Sequence, residues 1–252
     1  FMRHMHDYGT TSAQVAHVKV AHSKHASNNP KALLKQRVTV DEVLNSRWIT
    51  KPLHLLDCCL ETDNATCIIV TSADRAKDLK QRPVYIMGVA GRVSKPRVDF
   101  HFVHGPISRV AGYYAKDIVF PMAGIGPEAV DVTGSYDAFT FTALLQFEAY
   151  GFCAPGGGGS YVSDGTIQLG GRRPNNTSGG HLCEGYTHGI SMVIENVRQL
   201  RHDVDDICPI GESGRRNHTY DYREGGCRQV KDALLTANLG WGTPWTGSAL
   251  VL

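Results

Sequence analysis

The chain has no long apolar run. Its longest uninterrupted apolar stretch is a few residues, far below the ~20 needed to span a bilayer. No N-terminal stretch has the pattern of a signal peptide, so the expected compartment is the cytosol. Charge of one sign is also missing. There are 26 Lys plus Arg against 24 Asp plus Glu, a formal +2. The basic residues form no stripe, which argues against nucleic acid as a partner. The pairs Arg172-Arg173 and Arg215-Arg216 read as solvated loop charges. The seven cysteines form no CxxC pair and are odd in number, which indicates neither a disulfide framework nor a zinc ribbon. None of the twelve histidines stands in HExxH or another tight ligand pattern, so no metal site is expected. The four Asn-x-Ser/Thr sequons, at Asn64, Asn175, Asn176 and Asn217, read as chance without a secretion signal.

What is present is an ordinary globular composition, 42% hydrophobic and 20% charged. The pattern predicts a helix over Thr11 to Ala26, opened by a Thr11/Gln14 capping box, with Val15, Val18 and His22 on one face. A short helix follows over Val40 to Ser46. The β-branched run Thr66, Ile68, Ile69, Val70 predicts a buried strand over Ala65 to Thr71. Ala73 to Lys80 reads as a helix, Val84 to Val89 as a strand, and Ile107 to Ala123 as a helix distorted by Pro121 and ended by Gly124. Ala129 to Gly134 reads as a short strand. A turn follows, with Ser135 or Asp137 as N-cap of a helix running to about Tyr150. Gly156 to Gly180 reads as loop and hairpin. A helix is expected over His188 to Arg201, with Ile190, Val193, Ile194, Val197 and Leu200 as its buried stripe. Leu234 to Ala237 and Ser248 to Leu252 read as a closing antiparallel hairpin. The alternation indicates an α/β protein with a mixed sheet.

Three segments have the character of ligand loops. They are Ser135 to Phe139, Asn175 to Gly189, and Asn238 to Gly242. The first two precede helices, and the carboxyl edge of an α/β sheet is where ligands bind.

In this order the segments resemble the thiolase superfamily, most closely the sterol-carrier-protein type thiolases and their thiolase-like relatives. YDAF at Tyr136 to Phe139 stands in the place of NEAF or HDCF. GGHLCEGYTHG at Gly179 to Gly189 is similar to the GGxxxxGHPxG pattern. NLG at Asn238 to Gly240 falls where many thiolases carry CxG. DCCLETDNATCIIVT at Asp57 to Thr71 looks like the segment ending in the family's DGAAA strand, with Asn64 where Gly is usual. The departures fall on the family's acid–base residues. Tyr186 replaces the His of GHP, Tyr136 replaces the Asn or His of NEAF/HDCF, Ala138 the Cys of HDCF, and Asn238 the Cys of CxG. This pattern is similar to that of thiolase-like steroid aldolases of actinobacterial sterol degradation. They cleave a 17-hydroxy steroid side-chain acyl-CoA to a 17-keto steroid and propionyl-CoA.

The resemblance implies the layered αβαβα thiolase fold. Residues 1–82 would be the remainder of the loop domain with the last strand and helix of the N-terminal half. Residues 83–252 would be the C-terminal half. About 150 residues would then lie upstream of Phe1, and the first ~80 residues would pack poorly by themselves. It implies an acyl-CoA substrate with no covalently bound cofactor and a thiolase-type homodimer. It also implies a partner with an OB-fold and a zinc-binding module, for which the long stretch Asp203 to Arg223 is a docking candidate. Tyr136 and Tyr186 are the expected catalytic residues. Asn238 and Gly240 are candidates for the enolate pocket, Ser178, Gly179 and Gly180 for substrate contacts, and His188 and Asp137 for proton relay or orientation. A free phenol titrates near 10, so the helix N-terminus beside Tyr136 is expected to favour its phenolate. Two other readings stay open: a thiolase or acyltransferase with unusual residues, and an inactive acyl-CoA-binding scaffold.

Overall fold

The computed structural model describes residues 1–94, 105–204, 212, 216–243 and 246–252. His101, His104, Cys208 and, within the proposed docking stretch Asp203 to Arg223, residues 205–211 and 213–215 lie outside them. No helix among the described residues is long and apolar enough to cross a membrane.

The N-terminal elements are α1 (Met2–Tyr8), α2 (Ser12–Ser27) and α3 (Val40–Asn45), then a small antiparallel pair of β1 (Trp48–Thr50) and β2 (Leu53–His54). The capping box forms as expected. The Gln14 N–H donates to Thr11 Oγ1 at 3.2 Å, and the Thr11 N–H to Gln14 Oε1 at 2.9 Å. The helix is buried beyond one face. Val15, Val18, Lys19, His22, Ser23 and His25 are all covered. Its neighbours are α3 and three C-terminal helices described below, so α2 belongs to the main core and does not pack poorly.

Residues 65–71 behave differently. They form no strand, and Ile69 and Val70 are 88% and 70% exposed. A strand is stable only where a neighbour takes its N–H and C=O groups, and none of the described residues stands alongside this run. The following helix, α4, is short (Ala73–Lys77) and exposed. The next strand, β3, spans Gly88–Ser94 and so starts later than Val84. Gly88 pairs with Val251, and the Met87 N–H donates to the Val251 carbonyl at 2.9 Å.

The C-terminal region carries α5 (Ala111–Ala123), β4 (Val132–Ser135), α6 (Thr140–Ala149), α7 (Gly158–Ser163), α8 (Gly180–Cys183), α9 (Ile190–Arg201), β5 (Thr236–Thr243) and β6 (Thr246–Val251). Strands are ordered β3-β6-β5-β4. Only the β4–β5 pairing is parallel. Helix α5 packs on β3 and β6, and α9 on β4 and β5. Helix α2 packs on α6, α7 and α8. The result is a mixed α/β layered fold with its apolar core between sheet and helices.

Four expectations need correction. Neither Ser135 nor Asp137 caps α6. The helix starts at Thr140, with the Phe139 N–H donating to Thr142 Oγ1 at 3.1 Å. The Gly-rich stretch contains α7 and no hairpin. Glycine there encodes close helix packing, since a Cβ on Gly158 would lie 2.5 Å from Leu144 Cδ2. The buried face of α9 is Met192, Glu195, Asn196, Gln199 and Leu200, and Ile190 is exposed. That polar face is matched: Glu195 pairs with buried Arg228, and Gln199 donates to the Arg228 carbonyl at 2.9 Å. Finally, Arg173 is buried, donating to the carbonyls of Val130 and Glu128 at 2.8 and 3.0 Å.

The burial difference is measurable. Leu144 is fully buried, so Leu144→Ala is expected to lose about 2–5 kcal/mol of stability in urea unfolding. Ile69→Ser is expected to change it by less than about 0.5 kcal/mol.

Candidate active site

Two loops bring the tyrosines together. At the end of β4 the Tyr136 N–H donates to the Leu239 carbonyl at 3.2 Å, and Gln146 Nε2 donates to the Tyr136 carbonyl at 2.7 Å. Asn176 clamps Ser135 just before it. The Ser135 N–H donates to Asn176 Oδ1 at 2.9 Å, and Asn176 Nδ2 to the Ser135 carbonyl at 2.8 Å. Tyr186 lies between α8 and α9. Thr62 Oγ1 accepts its N–H at 2.8 Å and donates to its carbonyl at 3.0 Å. The Tyr136 and Tyr186 hydroxyls hydrogen-bond to each other. His188 Nδ1 is 3.2 Å from the Tyr136 hydroxyl.

Beside this pair opens a cavity of about 660 Å³, lined among others by Gly134, Tyr136, His188, Asn238, Gly240 and Trp241. Asn196 Nδ2 donates to Asn238 Oδ1 at 3.1 Å, which fixes the Asn238 amide. The Asn238 Nδ2 is buried and has no hydrogen-bond partner among the described residues. Asn238 to Gly242 is thus part of β5 and not a loop, and Gly240 stands opposite Ser248 in the β5–β6 ladder.

The other candidates lie behind the cavity. Ser178 is fully buried and its hydroxyl donates to Glu184 Oε2 at 2.6 Å. Gly179 packs on Ala26 of α2. Gly180 lies against Asp137, where a Cβ would fall 2.3 Å from Asp137 Oδ2. Asp137 is itself fully buried. It accepts the backbone N–H groups of His181 and Leu182 at 2.9 and 3.4 Å. His22 Nδ1 stands 2.8 Å from its Oδ2, and His181 Nδ1 3.4 Å from its Oδ1. His22 and His181 were not among the sequence candidates. His181 lay in plain view inside GGHLCEGYTHG. His22 had only its place on the buried face of α2 as a signal.

Burial is the main electrostatic influence. It pushes the Tyr136 hydroxyl above the ordinary phenol range, and the hydrogen bond with Tyr186 adds to the shift. The expected phenolate is therefore not favoured. Helix α6 starts too late to place its N-terminus at Tyr136. Burial alone would raise Asp137. The His22 hydrogen bond, the electrostatic pull of the two imidazoles and the His181 N–H outweigh it, and the carboxyl lies below its usual range. His181 is lowered by burial, against the pull of Asp137. The Cys59 and Cys153 thiols are pushed up by burial to about 11 and about 12, where little thiolate forms.

A family model for the thiolase C-terminal domain-like proteins matches residues 108–210. Over 204 residues the chain is 44% identical to the 17-hydroxy-3-oxo-4-pregnene-20-carboxyl-CoA lyase of Mycobacterium tuberculosis, covering 79% of this chain and 52% of that one. It is 40% identical over 205 residues to a steroid side-chain-cleaving aldolase of Thermomonospora curvata, with 79% and 52% covered. The solved structure of the Ltp2-ChsH2(DUF35) aldolase matches with a TM-score of 0.83 and 31% identity, covering 99% of this chain and 60% of that one. The chain spans about half the length of the curated relatives it matches.

Glu184 gives this region a pH signature. Burial, then the charge of Glu195, raises its carboxyl from 4.5 to about 7. Between those values the folded chain holds a proton that the unfolded chain has released. This contribution to stability is full below pH 4.5 and is lost as pH rises through about 7, on the order of 3 kcal/mol. Glu184→Gln is expected to remove it. In thermal melts the variant's advantage over the wild type should grow across that window.

Proposed function

This chain belongs to the sterol-carrier-protein type, thiolase-like branch of the thiolase superfamily, and from that premise we propose that it forms a retro-aldolase. The substrate is a steroid side-chain β-hydroxyacyl-CoA, and the products are a 17-keto steroid and propionyl-CoA. The observation that carries this reading is the hydrogen-bonded phenol pair beside an imidazole, at positions where thiolases carry the acid–base groups of thiolysis.

A retro-aldol cleavage moves one proton. The β-hydroxyl proton leaves as the C–C bond breaks, and the enolate carbon receives one. Two bonded phenols can do both without resting as phenolate. One oxygen accepts the hydroxyl proton, its own proton passes to the second phenol, and the second phenol protonates the enolate carbon. This suits a Tyr136 hydroxyl raised by burial and by Tyr186, which is a poor base but a competent link in a relay. His188 Nδ1, within reach of the Tyr136 hydroxyl, can hold a proton during the exchange. The thioester enolate needs a donor at its oxygen. The unpartnered Asn238 Nδ2 is that donor, and Gly240 lines the same cavity.

No acyl-enzyme forms on this route, so the raised thiols of Cys59 and Cys153 are no handicap. They disfavour thiolysis by either of these two cysteines. We also propose a coenzyme A thioester as substrate with no covalently bound cofactor, a thiolase-type homodimer, and a partner subunit with an OB-fold and zinc-binding module. The solved Ltp2-ChsH2(DUF35) aldolase, a similar chain joined to a second one, supports a partner subunit.

The test is release of keto-steroid and propionyl-CoA from the 17-hydroxy side-chain thioester by the full-length protein with its partner. Tyr136→Phe and Tyr186→Phe are each expected to lower kcat by at least about 100-fold. Asn238→Ala is expected to lower it about 100-fold by removing an enolate donor. Cleavage that survives both Phe variants overturns the assigned roles, and thiolysis of a 3-ketoacyl-CoA overturns the reaction.

A further inference from the structure

The cluster behind the phenols points to a residue outside the sequence candidates. His181 is fully buried, and its ring centroid lies 4.7 Å from those of both Tyr136 and Tyr186, edge-on to each. Its two nitrogens do different work. The Gly189 N–H donates to Nε2 at 2.9 Å, so Nε2 is the acceptor and the proton sits on Nδ1. Nδ1 faces the Asp137 carboxylate. That carboxylate is fixed in turn by His22. Asn175 Nδ2 donates to His22 Nε2 at 2.9 Å, which places the His22 proton on the Nδ1 that meets Asp137.

We propose that His181 is a positioning residue. As the neutral Nδ1–H tautomer with Nδ1 turned toward Asp137, it secures Gly189 and thereby the segment that carries Tyr186 and His188. It also fills the space between the two phenols. This rests on the retro-aldolase reading for its consequence in rate, but not for its geometry. The groups facing the ring are Asp137 below, His22 from α2, Tyr136 from the β4 end, and Tyr186 and His188 from its own loop. Protonation would turn Nε2 into a donor and break its bond to Gly189. Burial, which lowers the imidazole, opposes that.

Two measurements on the full-length complex decide it. In ¹⁵N-histidine NMR, the signal lost in His181→Gln should show a neutral Nδ1–H tautomer throughout the range where a free imidazole titrates. An Nε2–H tautomer, or titration in that range, overturns the proposal. In kinetics, His181→Phe keeps a ring but loses the acceptor. It should lower kcat about 100-fold while KM for the CoA thioester stays within about threefold. His181→Gln, whose Oε1 can accept the Gly189 N–H, should recover kcat to within about tenfold of wild type. Equal kcat loss in both variants, in step with equal loss of Tm, or unchanged kcat in the Phe variant, overturns the positioning role. If the Phe variant does not fold, the Gln variant and the NMR result decide. A wild-type complex that cleaves no β-hydroxyacyl-CoA defeats the retro-aldolase reading instead, and the NMR result still decides the tautomer.

Discussion

The site depends on one buried carboxylate. Asp137 follows Tyr136 directly, so whatever fixes Asp137 fixes the phenol beside it. A fully buried charge is costly unless it is matched by donors. Here its partners come from two distant parts of the chain: His22 on α2, whose Nδ1 stands 2.8 Å away, and α8, which supplies two backbone N–H groups and places the His181 imidazole alongside. Satisfying the charge therefore assembles the site. Gly180 belongs to the same constraint, because any side chain there would collide with the carboxylate. The buried GG pair of the motif makes room for an anion anchor and does not itself line the cavity.

From this anchor the chemistry follows outward. The anchored imidazole stands against both phenols, and the phenols bond to each other at the cavity mouth. Burial keeps the Tyr136 proton on oxygen, and burial also keeps Cys59 and Cys153 protonated. The phenols, the imidazole and the Asn238 amide are suited to moving protons and holding an enolate, and the nearby Cys59 and Cys153 stay protonated. These two thiols are poorly suited to building an acyl-thioester.

Much of this was legible in the sequence, and the reasons for the rest are physical. The α2 capping box, the α5 stop at Gly124 and the β5–β6 hairpin depend on local rules, and the chain obeys them. The motifs point to Tyr136, Tyr186, His188 and Asn238, and the fold brings these candidates around one cavity and one hydrogen-bonded cluster. The run at 66–70 has strand residues but no strand beside it, and propensity alone does not supply hydrogen-bond partners. The α9 stripe misled for a different reason. Its buried face is polar, matched by Arg228 and Thr177, and such pairing over long sequence separation leaves no periodic trace. His22 was invisible as a site residue because it contacts Asp137 only through tertiary packing.

The most direct test of the account is the fate of the proton. Cleavage of the 17-hydroxy side-chain thioester in D₂O by the full-length complex should give propionyl-CoA with one deuterium at the α-carbon, in a single configuration. No acyl mass should appear on the protein during turnover. That result would mean that a positioned phenol protonates a held enolate. Deuterium in both configurations, or an acyl adduct on a cysteine, would contradict it.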